Sequence, residues 1–397
     1  MGALRRVSGV GRSWLSFVAE LVVLCLLAGC MAAPTARQRP PAPGATPDRE
    51  PAIAATPRPT PTVVRSPMPS RTQLIGQRLV VAMDGTTTPS SGLLGRIRRG
   101  EVGGVILFGR NVTTAAALKT LTAKLQAAAR IGGQPRLLIA VDQEGGSIKR
   151  IAWAPPTLSP PQMGDDGRAS TARSQGAATG KALMGLGINV DLAPVADVPA
   201  STSSFLYKQG RTFSFSDDTT ASLATAFAGG LESEGVDPTM KHFPGLGLAT
   251  ANTDTSVVTI SASKAALAPG LKPYAAAIPG GLPIVMLSNA TYTAYDATNA
   301  AGWSSAVVTG LLRSQLGFDG VTMTDSLDGT AHARGVSTAS LALKAARAGT
   351  DLILLTGSEA TSSRVFDALY AAAKAGTLSR TQLRSSYDRI EAVKAGL

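Results

Sequence analysis

The chain contains almost no cysteine and almost no histidine, with two of each among 397 residues. Cys25 lies in an amino-terminal segment that we expect to be removed, so Cys30 would be the only thiol left. One thiol permits no internal disulfide and no cysteine-based zinc site. His242 and His332 are too few for a multi-histidine metal site. We therefore expect a domain held together by its hydrophobic core and working without a metal or other cofactor.

The net charge of +12 is not gathered into one basic patch. The sequence has no basic run with aromatic residues between the charges, which is the pattern that predicts nucleic-acid binding. We therefore expect no nucleic-acid partner. A scattered positive charge on an exported protein instead favours contact with anionic envelope polymers or a membrane surface.

Residues 1–30 have the features of an export signal. Arg5, Arg6 and Arg12 form a basic start, and the apolar run from Leu21 to Leu27 is too short for a stable membrane span. The run closes in Leu27-Ala28-Gly29-Cys30, which resembles the lipobox of bacterial lipoproteins. That resemblance implies cleavage before Cys30, lipidation of its thiol and a lipid anchor on the extracytoplasmic face of the cell membrane. A plain signal peptide or a membrane anchor is the alternative.

Residues 31–70 contain 11 prolines and few apolar side chains, so they cannot bury enough surface to fold. We interpret them as a disordered tether. Residues 71–397 then form a single domain.

This domain alternates apolar, β-branched runs with alanine-rich helical stretches. Runs that are apolar throughout are typical of strands buried on both faces of a parallel sheet. Eight of them, alternating with helices, predict a (β/α)8 barrel of the TIM type. A doubly wound open sheet is the alternative, but it would favour a glycine-rich phosphate loop after the first strand, and Asp84-Gly85-Thr86 stands there instead. The predicted strands are Leu79–Met83, Gly103–Phe108, Leu137–Asp142, Ile188–Val195, Pro238–Phe243, Pro283–Ser288, Gly320–Asp325 and Asp351–Leu355.

Ionisable residues follow several of these runs, where a barrel of this kind carries its chemistry. Any one acid could be only a helix cap, and Glu144 and Asp328 fit that description. Several such endings together predict a functional site. They are Asp142-Gln143-Glu144-Gly145-Gly146 with Arg150, Ala193-Pro194-Val195-Ala196-Asp197, Gly210-Arg211-Thr212-Phe213, Lys241-His242-Phe243-Pro244-Gly245 and Thr324-Asp325.

These segments, with Gly103-Gly104-Val105-Ile106-Leu107-Phe108, resemble glycoside hydrolase family 3 in its single-domain β-N-acetylhexosaminidase branch. The resemblance spans almost all of residues 71–357. It implies that Asp325 is the catalytic nucleophile. It also implies a carbohydrate substrate whose terminal sugar is held by Asp142, Arg150, Arg211, Lys241 and His242.

The chain departs from the family in the loop after Lys241-His242. Family members of this branch carry a histidine in that loop as general acid/base, whereas Leu246 to Ser256 contains none. An alignment without gaps puts Asp254 at the position of the catalytic histidine. An alignment by similarity puts Ser256 there, and a hydroxyl is a poor proton shuttle at neutral pH. Asp254 could also be only a loop cap, and His332 is a third, remoter candidate.

The resulting expectation is a lipid-anchored enzyme that removes terminal β-linked N-acetylglucosamine from peptidoglycan fragments or other envelope glycans. Asp325 and Asp254 would be its catalytic residues. A β-glycosidase with another sugar preference and a sugar-binding lipoprotein without catalysis are the alternatives. An Asp254 side chain facing Asp325 would favour the enzyme.

We predict that Cys30→Ala releases the protein from the membrane, because no other feature of residues 1–70 would hold it there. Fractionation of cells producing the parent and the variant measures this. A variant that stays in the membrane fraction would exclude lipid anchoring through Cys30.

Overall fold

The computed structural model describes residues 68–397, and eight parallel strands form the centre of that part of the chain. Seven of the predicted apolar runs contain one strand each, and the fifth strand begins one residue before its run, so the eight-strand prediction is confirmed. The strands are β1 Leu79–Ala82, β2 Gly104–Leu107, β3 Leu138–Val141, β4 Val190–Asp191, β5 Asp237–Phe243, β6 Ile284–Leu287, β7 Val321–Thr324 and β8 Ile353–Leu355.

The strands close into a barrel in the order of the chain. β1 pairs in parallel with both β2 and β8. A bridge between Met323 and Leu352 joins β7 to the start of β8, and the Thr324 N–H donates to the Leu352 carbonyl at 3.0 Å. The (β/α)8 prediction is therefore confirmed and the open doubly wound sheet is wrong, because an open sheet would leave two edges.

Helices surround the barrel, and most begin at a serine or threonine whose side chain accepts a backbone N–H. The segment Ala306–Gln315 has π-helical hydrogen bonding and lies between β6 and β7. The α-helices are α1 Arg71–Gly76, α2 Ser91–Arg98, α3 Ala115–Ile131, α4 Pro160–Asp166, α5 Ala169–Met184, α6 Phe205–Lys208, α7 Asp217–Glu232, α8 Lys264–Ala277, α9 Leu327–Ala333, α10 Thr338–Ala348, α11 Glu359–Lys374 and α12 Arg380–Ala395.

Two apolar cores explain why the strand sequences are apolar throughout. Val80 and Ala82 of β1 point into the barrel, while Val81 packs outward against the helices. The inner core repeats this alternation in the other strands, for example with Ile106 and Leu138. Both faces of each strand are thus dry, as in parallel sheets generally.

Three departures from regular barrel geometry shape the face where the strands end. β4 is only two residues long although its apolar run continues to Val195, because Pro194 has no N–H for the ladder. After β3, the short strands Gln143–Gly145 and Ile148–Lys149 form a hairpin. Thr259–Ile260 pairs with Thr291–Tyr292 and ties the loops after β5 and β6 together.

The amino-terminal predictions fall mostly outside the described residues. The export signal, Cys30 and residues 31–67 of the tether are not described, and the boundary at residue 71 stays a prediction. Within residues 68–397, none of the helices is both long and apolar enough to cross a bilayer.

A buried carboxylate fastens the seam between β7 and β8 at the opposite end of the barrel. Asp351 accepts hydrogen bonds from Arg313 at 2.6 Å, from Arg389 at 2.7 Å and from the Thr322 N–H at 2.9 Å. The backbone carbonyl of Asp351 also accepts from Arg78 in the loop before β1, at 3.0 Å. One side chain therefore joins β7, the π-helical segment and α12.

We predict that Asp351→Ala lowers the free energy of unfolding by about 3 kcal/mol, because it leaves the partly buried guanidinium groups of Arg313 and Arg389 and the buried Thr322 N–H without their carboxylate. Urea unfolding at pH 7 measures this. Asp319→Ala, at an exposed position, is the control and should change stability by less than about 0.5 kcal/mol. Equal effects of the two substitutions would contradict the seam's role.

Candidate active site

A cavity of about 250 Å³ opens where the barrel strands end. The chain brings to it residues that are far apart in sequence; Asp142 and Lys241, for example, are 99 positions apart and hydrogen bonded. All seven catalytic and sugar-binding residues expected from the sequence line this cavity: Asp142, Arg150, Arg211, Lys241, His242, Asp254 and Asp325.

Lys241 is the most deeply buried charge on one wall of the cavity, with 2% of its surface exposed. Its ammonium group lies 2.8 Å from an oxygen of Asp142 and 2.6 Å from an oxygen of Glu144. Burial alone would lower the pKa of Lys241, but the two carboxylates outweigh it and the pKa is raised. Lys241 is therefore a fixed cation that holds two acids in place.

Glu144 forms a bidentate ion pair with Arg211, so the helix-cap interpretation of Glu144 was wrong. The two contacts measure 2.7 Å and 2.8 Å and join residues 67 positions apart. Burial alone would raise the pKa of Glu144, but Arg211 and Lys241 lower it to about 2. The same pairing raises the pKa of Arg211 against the effect of its burial. The guanidinium plane of Arg211 is thus fixed at the cavity wall.

Asp142 is the carboxylate that this wall presents to the cavity. It is bonded to Lys241 and, at 3.3 Å, to Arg150. Burial alone would raise its pKa, but the charges of Lys241 and Arg150 and the hydrogen bond from Lys241 together lower it. Asp142 is therefore an ionised acceptor beside two cations, an arrangement suited to hydroxyl groups that both donate and accept.

His242 is oriented by a buried carboxylate that the sequence interpretation quoted but did not assign to the site. The Asp197 carboxylate is 2.7 Å from His242 Nδ1 and also accepts the backbone N–H groups of His242 and Leu246. A neutral imidazole that donates from Nδ1 leaves Nε2 as an acceptor. The available signal was an aspartate closing the segment that follows β4.

Asp325 directly follows β7, and its position is fixed through the backbone. Its N–H donates to the Leu287 carbonyl at 3.0 Å, and one carboxylate oxygen accepts the Ser326 N–H at 2.7 Å. The side chain lines the cavity together with Asp254. Two acids from the loop after β5 and from the end of β7 therefore meet there.

Asp254 is an acid of the cavity whose pKa is raised, unlike those of Asp142 and Glu144, which are lowered. Burial and the charge of Asp325 raise the pKa of Asp254 to about 7. One of its carboxyl oxygens is buried and has no hydrogen-bond partner within residues 68–397. Ser256 does not line the cavity; its backbone N–H instead bonds the Asn252 carbonyl within the loop. This geometry favours the alignment that puts Asp254, rather than Ser256, at the acid position.

Comparison with known proteins now decides the family. The family model described as the glycosyl hydrolase family 3 N terminal domain matches residues 75–393. The chain belongs to glycoside hydrolase family 3.

Relatives and solved structures of this family resemble the chain over most of its length. An uncharacterised secreted glycosyl hydrolase of Arthroderma benhamiae is 35% identical over 329 residues, which are 81% of this chain and 92% of the relative. A β-N-acetylhexosaminidase of Beutenbergia cavernae is 32% identical with a TM-score of 0.75, over 82% of this chain and 98% of that one. A β-N-acetylglucosaminidase of a Paenibacillus species is 31% identical with a TM-score of 0.78, over 82% of this chain and 62% of that one. The chain is thus a glycosidase.

Two further candidates lie away from the cavity of this family 3 glycosidase. His332 and Asp328 line a separate surface cleft and not the cavity itself. Asp328 accepts the backbone N–H groups of Thr356 and Gly357 at 2.7 and 2.9 Å. Asp328 therefore holds the loop ahead of Ser358, the residue that caps α11, so its role is structural but is not a helix cap. The approach of His332 to the site was wrong.

The apolar part of the cavity wall could not be read from the sequence. Phe108, Leu206, Leu246 and Met286 line the cavity of this family 3 enzyme. They come from four different segments, and each resembles an ordinary core residue.

We predict that Glu144→Gln raises KM for a glycoside and lowers the free energy of unfolding at pH 7, because Arg211 and Lys241 lose their shared carboxylate. The lowered pKa means that the ion pair contributes stability above pH 4.5 and loses it as pH falls toward 2. The parent should exceed the variant by about 3 kcal/mol at pH 7, and the difference should shrink over that acid range.

Chemical unfolding at a series of pH values and initial rates at pH 7 measure both effects. Asp165→Asn, at an exposed position, is the control. A stability difference that does not depend on pH would contradict the ion-pair argument.

Proposed function

We propose that this glycosidase is a retaining exo-enzyme that removes terminal β-linked N-acetylglucosamine, with Asp325 as nucleophile and Asp254 as proton donor. The observation that carries the proposal is the meeting of these two acids in one cavity, with the pKa of Asp254 raised to about 7. The sugar preference is supported by similarity to the β-N-acetylglucosaminidase of Paenibacillus and, for the wider class of sugar, to the β-N-acetylhexosaminidase of Beutenbergia cavernae.

In the first step a carboxylate oxygen of Asp325 attacks the anomeric carbon. The bond from that carbon to the leaving oxygen breaks, and Asp254 gives its proton to this oxygen. The product is a glycosyl ester on Asp325. In the second step Asp254, now a carboxylate, takes a proton from water while the water oxygen attacks the anomeric carbon and Asp325 leaves. This is the two-carboxylate scheme of retaining glycosidases.

The electrostatics of the two acids suit this alternation. Before attack, burial and the negative charge of Asp325 keep the proton on Asp254 at higher pH than on a free aspartate. Once Asp325 is esterified, that charge is gone and the pKa of Asp254 falls. Asp254 is then a better-ionised base for the second step.

The opposite wall supplies the sugar-binding groups. Asp142 accepts hydrogen bonds from sugar hydroxyls, while Arg150, Arg211 and Lys241 donate without needing deprotonation. His242 adds an acceptor at Nε2. The cavity of about 250 Å³ lies at the lower limit of ligand pockets, which favours one terminal sugar over an internal stretch of polymer.

We further propose lipid attachment at Cys30, with residues 31–70 as tether and the enzyme on the extracytoplasmic face of the cell membrane. Envelope glycans, including peptidoglycan fragments, would then be within reach. The secreted relative from Arthroderma benhamiae supports an exported location.

Substrates whose leaving groups differ in their need for a proton test whether Asp254 is the general acid. Dinitrophenolate leaves without protonation, whereas a sugar alkoxide needs it. We predict that Asp254→Ala lowers kcat/KM about 10²–10⁴-fold on N-acetylglucosamine disaccharide and far less on the dinitrophenyl glycoside. On the disaccharide the parent's kcat/KM should fall above pH about 7, where Asp254 loses its proton. Added azide should partly restore the turnover of Asp254→Ala on the dinitrophenyl glycoside, because a small anion can attack the glycosyl ester without help from a base.

Ser256→Ala is the matched loop control and Asp325→Ala the inactive blank, and a panel of other β-glycosides tests the sugar preference. If Asp254→Ala cleaves both substrates like the parent, Asp254 is not the acid. A parent that binds N-acetylglucosamine but cleaves none of the panel would favour the sugar-binding lipoprotein.

A further inference from the structure

The loop that carries Asp254 is hydrogen bonded to α9, the helix that begins two residues after Asp325. The Thr330 hydroxyl donates to the Thr253 carbonyl at 3.1 Å, immediately before Asp254. Both threonines are buried, with 1% and 3% of their surfaces exposed, so water does not compete for this bond. The acid loop and the nucleophile therefore share one supporting element.

Asn289, just after β6, orients that hydroxyl. Its side-chain amide donates to the Ser326 carbonyl at 2.7 Å and to Thr330 Oγ1 at 2.8 Å. The amide has two protons and both are used. Thr330 Oγ1 accepts from Asn289, and its single hydroxyl proton has two carbonyls within reach, Thr253 at 3.1 Å and Ser326 at 3.2 Å. The Ser326 carbonyl already accepts the Asn289 amide, and the Thr253 carbonyl is the shorter contact for the hydroxyl.

The packing of the loop against α9 also requires a glycine at position 329. A Cβ at this position would lie 2.7 Å from the Asp254 carbonyl oxygen and 3.1 Å from the Asp254 Cβ. Glycine inside a helix is less favourable than alanine by about 1 kcal/mol. The close approach of the Asp254 backbone explains why a glycine stands at this position of the helix.

We propose that Thr330, oriented by Asn289, and Gly329 are positioning residues that hold the proton donor over the nucleophile. The inference rests on the proposed acid role of Asp254. The raised pKa of Asp254 depends on its burial and on its nearness to Asp325. Loss of the contacts that hold the loop would therefore move Asp254 away from Asp325 and lower its pKa.

The test uses Thr330→Val, which keeps the shape and removes the hydroxyl, and Gly329→Ala, which pushes the loop outward. Each should lower kcat/KM on the disaccharide by about 10-fold or more and on the dinitrophenyl glycoside by less than about 2-fold. The fall of the disaccharide rate at high pH should move to lower pH, because a released Asp254 is better solvated. Thr330→Ser, which keeps the hydroxyl, should recover most of the loss.

Matched controls exist elsewhere in the barrel. Thr122→Val removes a buried hydroxyl that donates to the Leu186 carbonyl at 2.8 Å, and Gly310→Ala adds a methyl group where no atom lies within 4 Å. Neither should alter the ratio of the two rates. Thermal unfolding of every variant separates poor folding from poor positioning.

The outcomes are separable. If Asp254→Ala discriminates between the substrates and neither Thr330→Val nor Gly329→Ala does, the positioning inference is overturned and the proposed function stands. Equal losses on both substrates would make the contact merely structural and would also overturn it. If Asp254→Ala itself does not discriminate, the acid assignment fails, and the inference fails with it.

Discussion

The ammonium group of Lys241, buried between Asp142 and Glu144, is the contact on which the rest of the site depends. A buried cation is tolerated only with close anionic partners, and a buried carboxylate needs cations in turn. Glu144 therefore requires Arg211 as well as Lys241, and Asp142 draws in Arg150. The closed barrel makes this possible. Side chains from the ends of β3 and β5 point to the same face of the barrel and form an ion pair there, although β4 lies between the two strands.

The two ends of the barrel use ion pairs for different purposes. At the seam, Asp351 is fully buried and paired with Arg313 and Arg389, an arrangement that contributes to stability. At the opposite end, the charges of Asp142 and Arg150 remain partly accessible, with 14% and 30% of their side chains exposed. Charged groups that are paired but still partly exposed can form hydrogen bonds with sugar hydroxyl groups in place of some of their hydrogen bonds to each other. A polar wall of this kind is rigid before any substrate arrives.

The sequence predicted the barrel well because the strands are buried on both faces and are therefore mostly apolar, with Asp191 of β4 and Lys241 of β5 among the exceptions. It also predicted which side chains meet at the cavity, since the ends of parallel strands converge in a closed barrel. It could not predict their pairing: the partner of Glu144 is 67 positions away and the partner of His242 is 45 positions away. Nor could it align the acid loop, because Asp254 and Ser256 each satisfied one spacing. Asp254 lines the cavity and Ser256 does not, and that difference arises only in the tertiary structure.

The proposed replacement of the family's catalytic histidine by Asp254 has a physical consequence for the whole loop. An unperturbed histidine has a pKa of about 6.5 and is partly protonated near neutrality wherever it stands, whereas an unperturbed aspartate, at about 3.9, is not. Asp254 holds a proton near pH 7 because it is buried beside Asp325. The pKa of a carboxylic acid in this role therefore depends on where its side chain is held. A histidine loop can swing freely and still carry its proton, but an aspartate loop must be held in place, and the bond from Thr330 to the Thr253 carbonyl is the contact that does so.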